Sequence, residues 1–260
     1  MLFLTQKSLT SIVPHLTLLI IVGCQSGNPP EPIVDHIRPS PIFAKATATA
    51  TPINPSSLLK LSGEVMEGLE TFHFRLDHRK GGLEFLPGLI INDIEGDVVK
   101  PDKISVSFNG LLGSGLAIKS SLIAFEDQVY MTNPLTGQWT AGPEAVNALG
   151  FFNPNQGVQM MMSQISQLTL VNSGPYANGS FTISGRLATH TLTPLVGSTL
   201  EDSVVKVELT IDSRLFYLLE AKFIGAVTPN DSDLTIRVIT LSKFDEPVSI
   251  EQPIAQRPGP

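Results

Sequence analysis

Cys24 is the only cysteine in a chain of 260 residues, and Trp139 the only tryptophan. A disulfide within the chain is therefore excluded, since a bridge needs two sulfurs, and a cysteine-based redox or metal centre would need a second soft ligand nearby. Basic residues are also scarce: 17 Lys and Arg stand against 24 Asp and Glu, a net charge of −7. No basic cluster or interleaving of aromatic with basic residues occurs. This excludes a nucleic-acid partner and a polybasic grip on anionic lipid. No Gly-x-Ser-x-Gly elbow is present to carry a hydrolase nucleophile. The stretch "GLLGSG", Gly110 to Gly115, lacks the Lys-Ser/Thr of a phosphate-binding loop and leads into a strand pattern, so it reads as a hairpin turn.

The lone thiol has a telling position. It ends "LTLLIIVGC", behind an apolar run from Ser11 to Val22 that follows the basic Lys7. That run is shorter than the roughly 20 apolar residues of a membrane span and fits an export signal, residues 1–23, with the small Gly23 before the cut. The order Leu-Ile-Ile-Val-Gly-Cys resembles the lipobox of bacterial lipoproteins. It implies a diacylglyceryl thioether on Cys24, which cleavage leaves as the first residue and which anchors the chain to the outer face of the cell membrane or another envelope membrane. Two or more acyl chains hold stably, at about 0.8 kcal/mol per buried CH₂. Residues 24–55, rich in Pro, Ala and Thr, have no periodicity and read as a tether. The folded domain is expected over 56–253, with a tail at 254–260.

Within that domain, Asn54-Pro55-Ser56 offers caps for a helix whose apolar positions are Leu58, Leu61, Val65 and Leu69. The period then changes to two: in "TFHFRLDH", Phe72, Phe74 and Leu76 point one way and His73, Arg75 and Asp77 the other. Strand patterns recur over 89–99, 104–108, 115–125 and 129–132. A second helix is expected in "NPNQGVQMMMSQISQL", capped by Asn153 with Pro154 in its first turn. Its apolar face would hold Val158, Met161, Met162, Ile165 and Leu168. Further strands are expected over 179–187, 203–211, 216–225 and 234–241, with a helical turn near 194–200. Roughly nine to eleven amphipathic, short-linked strands predict an α+β fold. Its form would be a single curved antiparallel sheet with helices covering the concave face.

The blocks "GLIINDIEGDVVKPDKISVSF", "NPLTGQW", "FFNPNQGV", "TIDSRLFYLLEAKFIG" and "LSKFDEPVSIEQP" resemble the LppX/LprA/LprF/LprG family of bacterial lipoproteins. The likeness runs from about Leu58 to Pro253. It implies a half-open barrel similar to the LolA/LolB carriers, which binds multiply acylated lipid or glycolipid in an apolar cavity without catalysis or cofactor. It also implies a monomer held at the membrane by its lipid anchor, with a membrane transporter as a further candidate partner. The inward faces that would line the cavity are Phe72, Phe74, Leu76, Ile91, Ile104, Val106, Phe108 and Ile118 on the first strands. Val158, Met161, Met162 and Ile165 would follow on the second helix, and Phe181, Ile183, Leu209 and Ile211 on the later strands. Trp139, past a Pro/Gly turn, suits a cavity rim or a packed anchor equally. Thr210 departs from the tryptophan that many relatives carry there, which bears on cavity shape.

Three other patterns carry less. His73 and His78 lie five apart on one strand and face opposite sides, so they make no metal pair. Asn92, Asp93, Glu95, Asp97 and Asp102 lack EF-hand spacing and read as solvated turns. Asn178-Gly179-Ser180 is a formal sequon that reads as a turn. The main alternative to a carrier is a structural or signalling lipoprotein whose filled core leaves an exposed patch for a protein partner.

Overall fold

Asn54 begins the folded part: its side chain accepts hydrogen bonds from the backbone N–H of Ser56 and Ser57 and caps helix α1, Pro55–Gly68. The structure is a computed structural model describing residues 53–126, 128–142, 157–172 and 179–254. The export signal, Cys24, most of the tether, Asn153, Pro154, Asn178 and most of the tail lie outside those residues. The buried face of α1 is Leu58, Leu59, Ser62, Gly63 and Met66. Leu61, expected on that face, is exposed, and Val65 is half-buried. The face has rotated toward its small residues because α1 lies against the second helix. A Cβ on Gly63 would meet Gln159 Cγ at 3.2 Å, so the two helices are close at this glycine and a larger residue would have to displace the Gln159 side chain.

Twelve strands follow among the described residues, in one antiparallel sheet. The first seven are β1 (Thr71–Lys80), β2 (Leu83–Leu86), β3 (Leu89–Val99), β4 (Lys103–Leu112), β5 (Leu116–Phe125), β6 (Gln128–Thr132) and β7 (Trp139–Ala141). Helix α2 (Val158–Ser163) precedes β8 (Ser166–Asn172) and β9 (Ser180–Ala188). A 3-10 turn at Thr189–Leu192 and a single turn α3 (Thr193–Val196) then lead into β10 (Val204–Asp212), β11 (Leu218–Ile224) and β12 (Ile236–Ser242). The strand order is β7-β6-β5-β4-β3-β1-β12-β11-β10-β9-β8, with β2 a short flap on β3. The sheet is not closed: β7 and β8 are its two edges. Strands β1 and β12 pair from His73↔Ser242 to His78↔Arg237, so the first and last of the described strands are neighbours in the middle of the sheet.

The second helix is shorter than its apolar spacing implies. It stops at Ser163, Ile165 sits in the connection, and Leu168 belongs to strand β8, paired with β9. Residues 92–97 are corrected likewise: Asp93, Glu95 and Asp97 stand on β3, not in turns. There His73 Nδ1 lies 2.8 Å from Asp97 Oδ1, and Arg75 reaches Glu95 at 3.4 Å and Asp77 at 3.0 Å. Cross-strand partners thus engage Glu95 and Asp97, while Asp93, opposite Asp77, accepts from Asn109.

A twisted sheet of this many strands curls instead of staying flat. Glycine permits the tightest part: a Cβ on Gly96 of β3 would lie 2.2 Å from the Ser105 carbonyl oxygen of β4.

Candidate functional site

Side-chain alternation and register assemble one apolar face across the sheet. Phe72, Phe74 and Leu76 on β1 stand opposite Val98, Gly96 and Ile94 on β3. These in turn face Ile104, Val106 and Phe108 on β4. On the other side of β1, Leu241 and Ile239 lead to Ala221, Leu209 and Ile183. A bulge between Ile91 and Asp93 shifts the parity of β3, which puts Ile91 and Ile94 on the same face despite their odd spacing.

Most of the expected lining residues are buried in one core: Phe72, Phe74, Leu76, Ile104, Met161, Met162, Ile165, Phe181, Ile183, Leu209 and Ile211, with Val106 and Val158 partly buried against it. Ile91, Phe108 and Ile118 are separated from these; with Leu89 they form a second cluster near the β4–β5 turn. Trp139 is half-buried on edge strand β7 opposite Thr132 and belongs to neither cluster. Thr210 points to the outer side of β10, opposite to Leu209 and Ile211, so the missing aromatic does not alter the inner face.

Sequence spacing missed the polar groups on this face. Arg237 occupies an inward position of β12, opposite His78 and in line with Ile239 and Leu241, and is 1% exposed. Its guanidinium donates to Asp231 Oδ1 at 2.6 Å and Oδ2 at 2.7 Å, and to the Gly82 carbonyl at 3.2 Å. Burial pushes the Asp231 carboxyl upward, but the Arg237 hydrogen bonds and the N–H groups of Val227 and Thr228 outweigh it and hold it below its usual range. His78 Nδ1 bonds the Asn92 carbonyl at 2.9 Å; burial lowers the pKa of the ring, and nearby Arg237 lowers it further. The signal for Arg237 was its phase in "LTIRVITL", where it shares alternation with Ile239 and Leu241. Ser62 of α1 is also fully buried, its hydroxyl without a partner.

A cleft of about 180 Å³ opens where α2 meets the 3-10 turn, lined by Met160, Met161, Gln164, His190, Thr191 and Pro194. Thr191 donates to Gln164 Oε1 at 2.9 Å across its mouth, and Met160 is exposed. Flexible thioethers on one wall suit an irregular apolar guest. Among the described residues, no three His, Cys, Asp or Glu side chains are placed to hold a metal ion, and no helix is long and apolar enough to cross a membrane.

The family model described as LppX_LprAFG lipoprotein matches residues 54–250. No curated protein matches the chain in sequence. Among solved structures, LprF from Mycobacterium bovis is similar at 16% identity and a TM-score of 0.60, covering 78% of this chain and 99% of its own. LppX from Mycobacterium tuberculosis is similar at 15% identity and a TM-score of 0.53, covering 75% of this chain and 97% of its own. At these identities the likeness is one of fold, and no catalytic family is indicated.

Proposed function

The chain belongs to the LppX_LprAFG lipoprotein family, and on that premise we propose that it is a membrane-anchored lipid carrier. It binds an acylated lipid or glycolipid between its sheet and its helices and moves it within the cell envelope. The observation that carries this is the single apolar face spanning the open sheet, with the methionine-lined cleft at its α2 end. An acyl chain of about sixteen carbons gains roughly 12 kcal/mol on leaving water, at about 0.8 per CH₂. A bilayer already supplies that amount, so the protein has only to match it. Transfer is then nearly neutral, directed by supply and acceptor, and needs no nucleotide. Anchorage through acylated Cys24 keeps the domain beside its donor membrane.

The test is native mass spectrometry with lipid extraction on the protein purified from its own membranes. Lipid bound in near one-to-one amount supports the carrier and identifies the cargo. A lipid-free mass that also refuses added lipid overturns it. That second outcome would favour a lipoprotein with a filled core and a protein partner. One observation points that way: the described cleft, about 180 Å³, is below the roughly 300 Å³ at which ligand pockets begin.

A further inference from the structure

We propose that the tips of the β2–β3 and β4–β5 hairpins form a membrane-docking surface that enters the bilayer interface. The proposal rests on the carrier reading but concerns a different part of the molecule. The two tips lie side by side: Leu89 pairs with Leu112 and Ile90 with Leu111, and Gly113 N–H donates to the Gly88 carbonyl at 2.8 Å. Large apolar side chains face solvent there, with Ile90 44%, Leu111 38% and Leu116 55% exposed. The sequences of the two tips, "FLPGLIIN" over 85–92 and "GLLGSGLAI" over 110–118, contain no charged residue, in a chain that is 16% charged. Directly behind them, Leu89, Ile91, Phe108 and Ile118 form their own buried cluster, so the tips stand on a packed base.

The charges flanking the tips select a bilayer over a protein groove. Arg79 and Lys80 end β1 and Lys119 lies on β5, all exposed, one step behind the apolar apex. That is the layering of a membrane: apolar interior first, phosphates next. Two carboxylates also border the tips, each held by hydrogen bonds. Glu84 Oε1 accepts from Gly88 N–H at 3.0 Å and its Oε2 from Asn230 at 2.7 Å, while Asp93 accepts from Asn109 at 2.8 Å. Twenty-nine residues lie between Cys24 and Asn54. A stretch of that many residues can span up to about 90 Å when extended, so the anchor alone does not dictate which face docks; the tips do.

The test uses the full chain with Cys24→Ser and a single new thiol, Leu116→Cys, carrying an environment-sensitive fluorophore. Leu215→Cys, at the exposed turn between β10 and β11, is the control. Mixing with phosphatidylcholine vesicles, alone and with phosphatidylglycerol, should blue-shift and brighten the label at position 116 several-fold and leave that at 215 unchanged. The shift should survive high salt, because the apex carries no charge. Leu111→Glu with Leu116→Glu should reduce the response of a label at position 90 (Ile90→Cys) about tenfold or more. Lipid extraction of the same preparations separates the two proposals. Lipid-loaded protein whose position 116 stays in water, or responds no more than 215, overturns tip docking and leaves the carrier standing. Inserting tips on a protein that refuses lipid would support docking and sink the carrier.

Discussion

Arg237 and Asp231 form an ion pair at 2.6 Å with each side chain only 1% exposed, on the inner side of a sheet otherwise lined by aliphatic and aromatic groups. Removing one partner leaves an uncompensated buried charge, which costs about 3–5 kcal/mol. Asp231→Asn should therefore lower the stability read by urea unfolding by that order. Asp231→Leu combined with Arg237→Met should recover only part of it, because the N–H groups of Val227 and Thr228 then lose their acceptor.

His78 links stability to pH. Burial, reinforced by Arg237, lowers the pKa of its imidazole below the ordinary 6.5, against the opposing pull of the Asn92 carbonyl. The unfolded chain thus takes up the proton more readily, and stability falls as pH drops through the unfolded value toward the folded one. Urea midpoints measured from about pH 7 to about pH 5 should decline, and His78→Gln should remove part of that slope. Asp231 acts lower: its depressed carboxyl contributes stability above its unfolded pKa, lost as pH falls further through the folded one.

Gly96 should resist any side chain. A Cβ there meets Ser105 O at 2.2 Å and Val106 Cα at 3.0 Å, both backbone atoms that move only with the strands. Gly96→Ala is expected to cost about 1–3 kcal/mol, visible as a lower melting temperature.

Trp139 lies outside both apolar clusters on a three-residue edge strand. Trp139→Ala should leave the melting temperature nearly unchanged and weaken lipid uptake, measured by displacement of a fluorescent fatty acid. A large loss of stability would mark it instead as a packing anchor.

The proposed anchor at Cys24 predicts that Cys24→Ser moves the protein from the membrane to the soluble fraction on cell fractionation.

Strands β1, β4 and β5 were legible because one side of each is buried and the other wet, so the period of two is written into the residues. The α+β class, the open antiparallel sheet and the family followed from such runs and from the quoted blocks. Strand β8 was not legible. "SQISQL" places Ile165 and Leu168 at helical spacing, and pairing with β9, whose Gly185 leaves room for Ile165, overrides that local pattern. Strands β2 and β7, of four and three residues, are too short for periodicity to register. The expected apolar lining appears as buried inner face, yet Arg237 among it could be inferred only from phase, because an arginine in a strand ordinarily faces water.

The join between α1 and β1 is fastened twice. Lys100 Nζ donates to the carbonyls of Met66 and Glu67 at 2.9 Å each, and Asp245 Oδ1 accepts from Glu70 and Thr71 N–H at 2.7 and 3.3 Å. The C-terminal end of α1 is thus tied both to the segment after β3 and to the segment after β12, so the entry into the central strand is held from two sides.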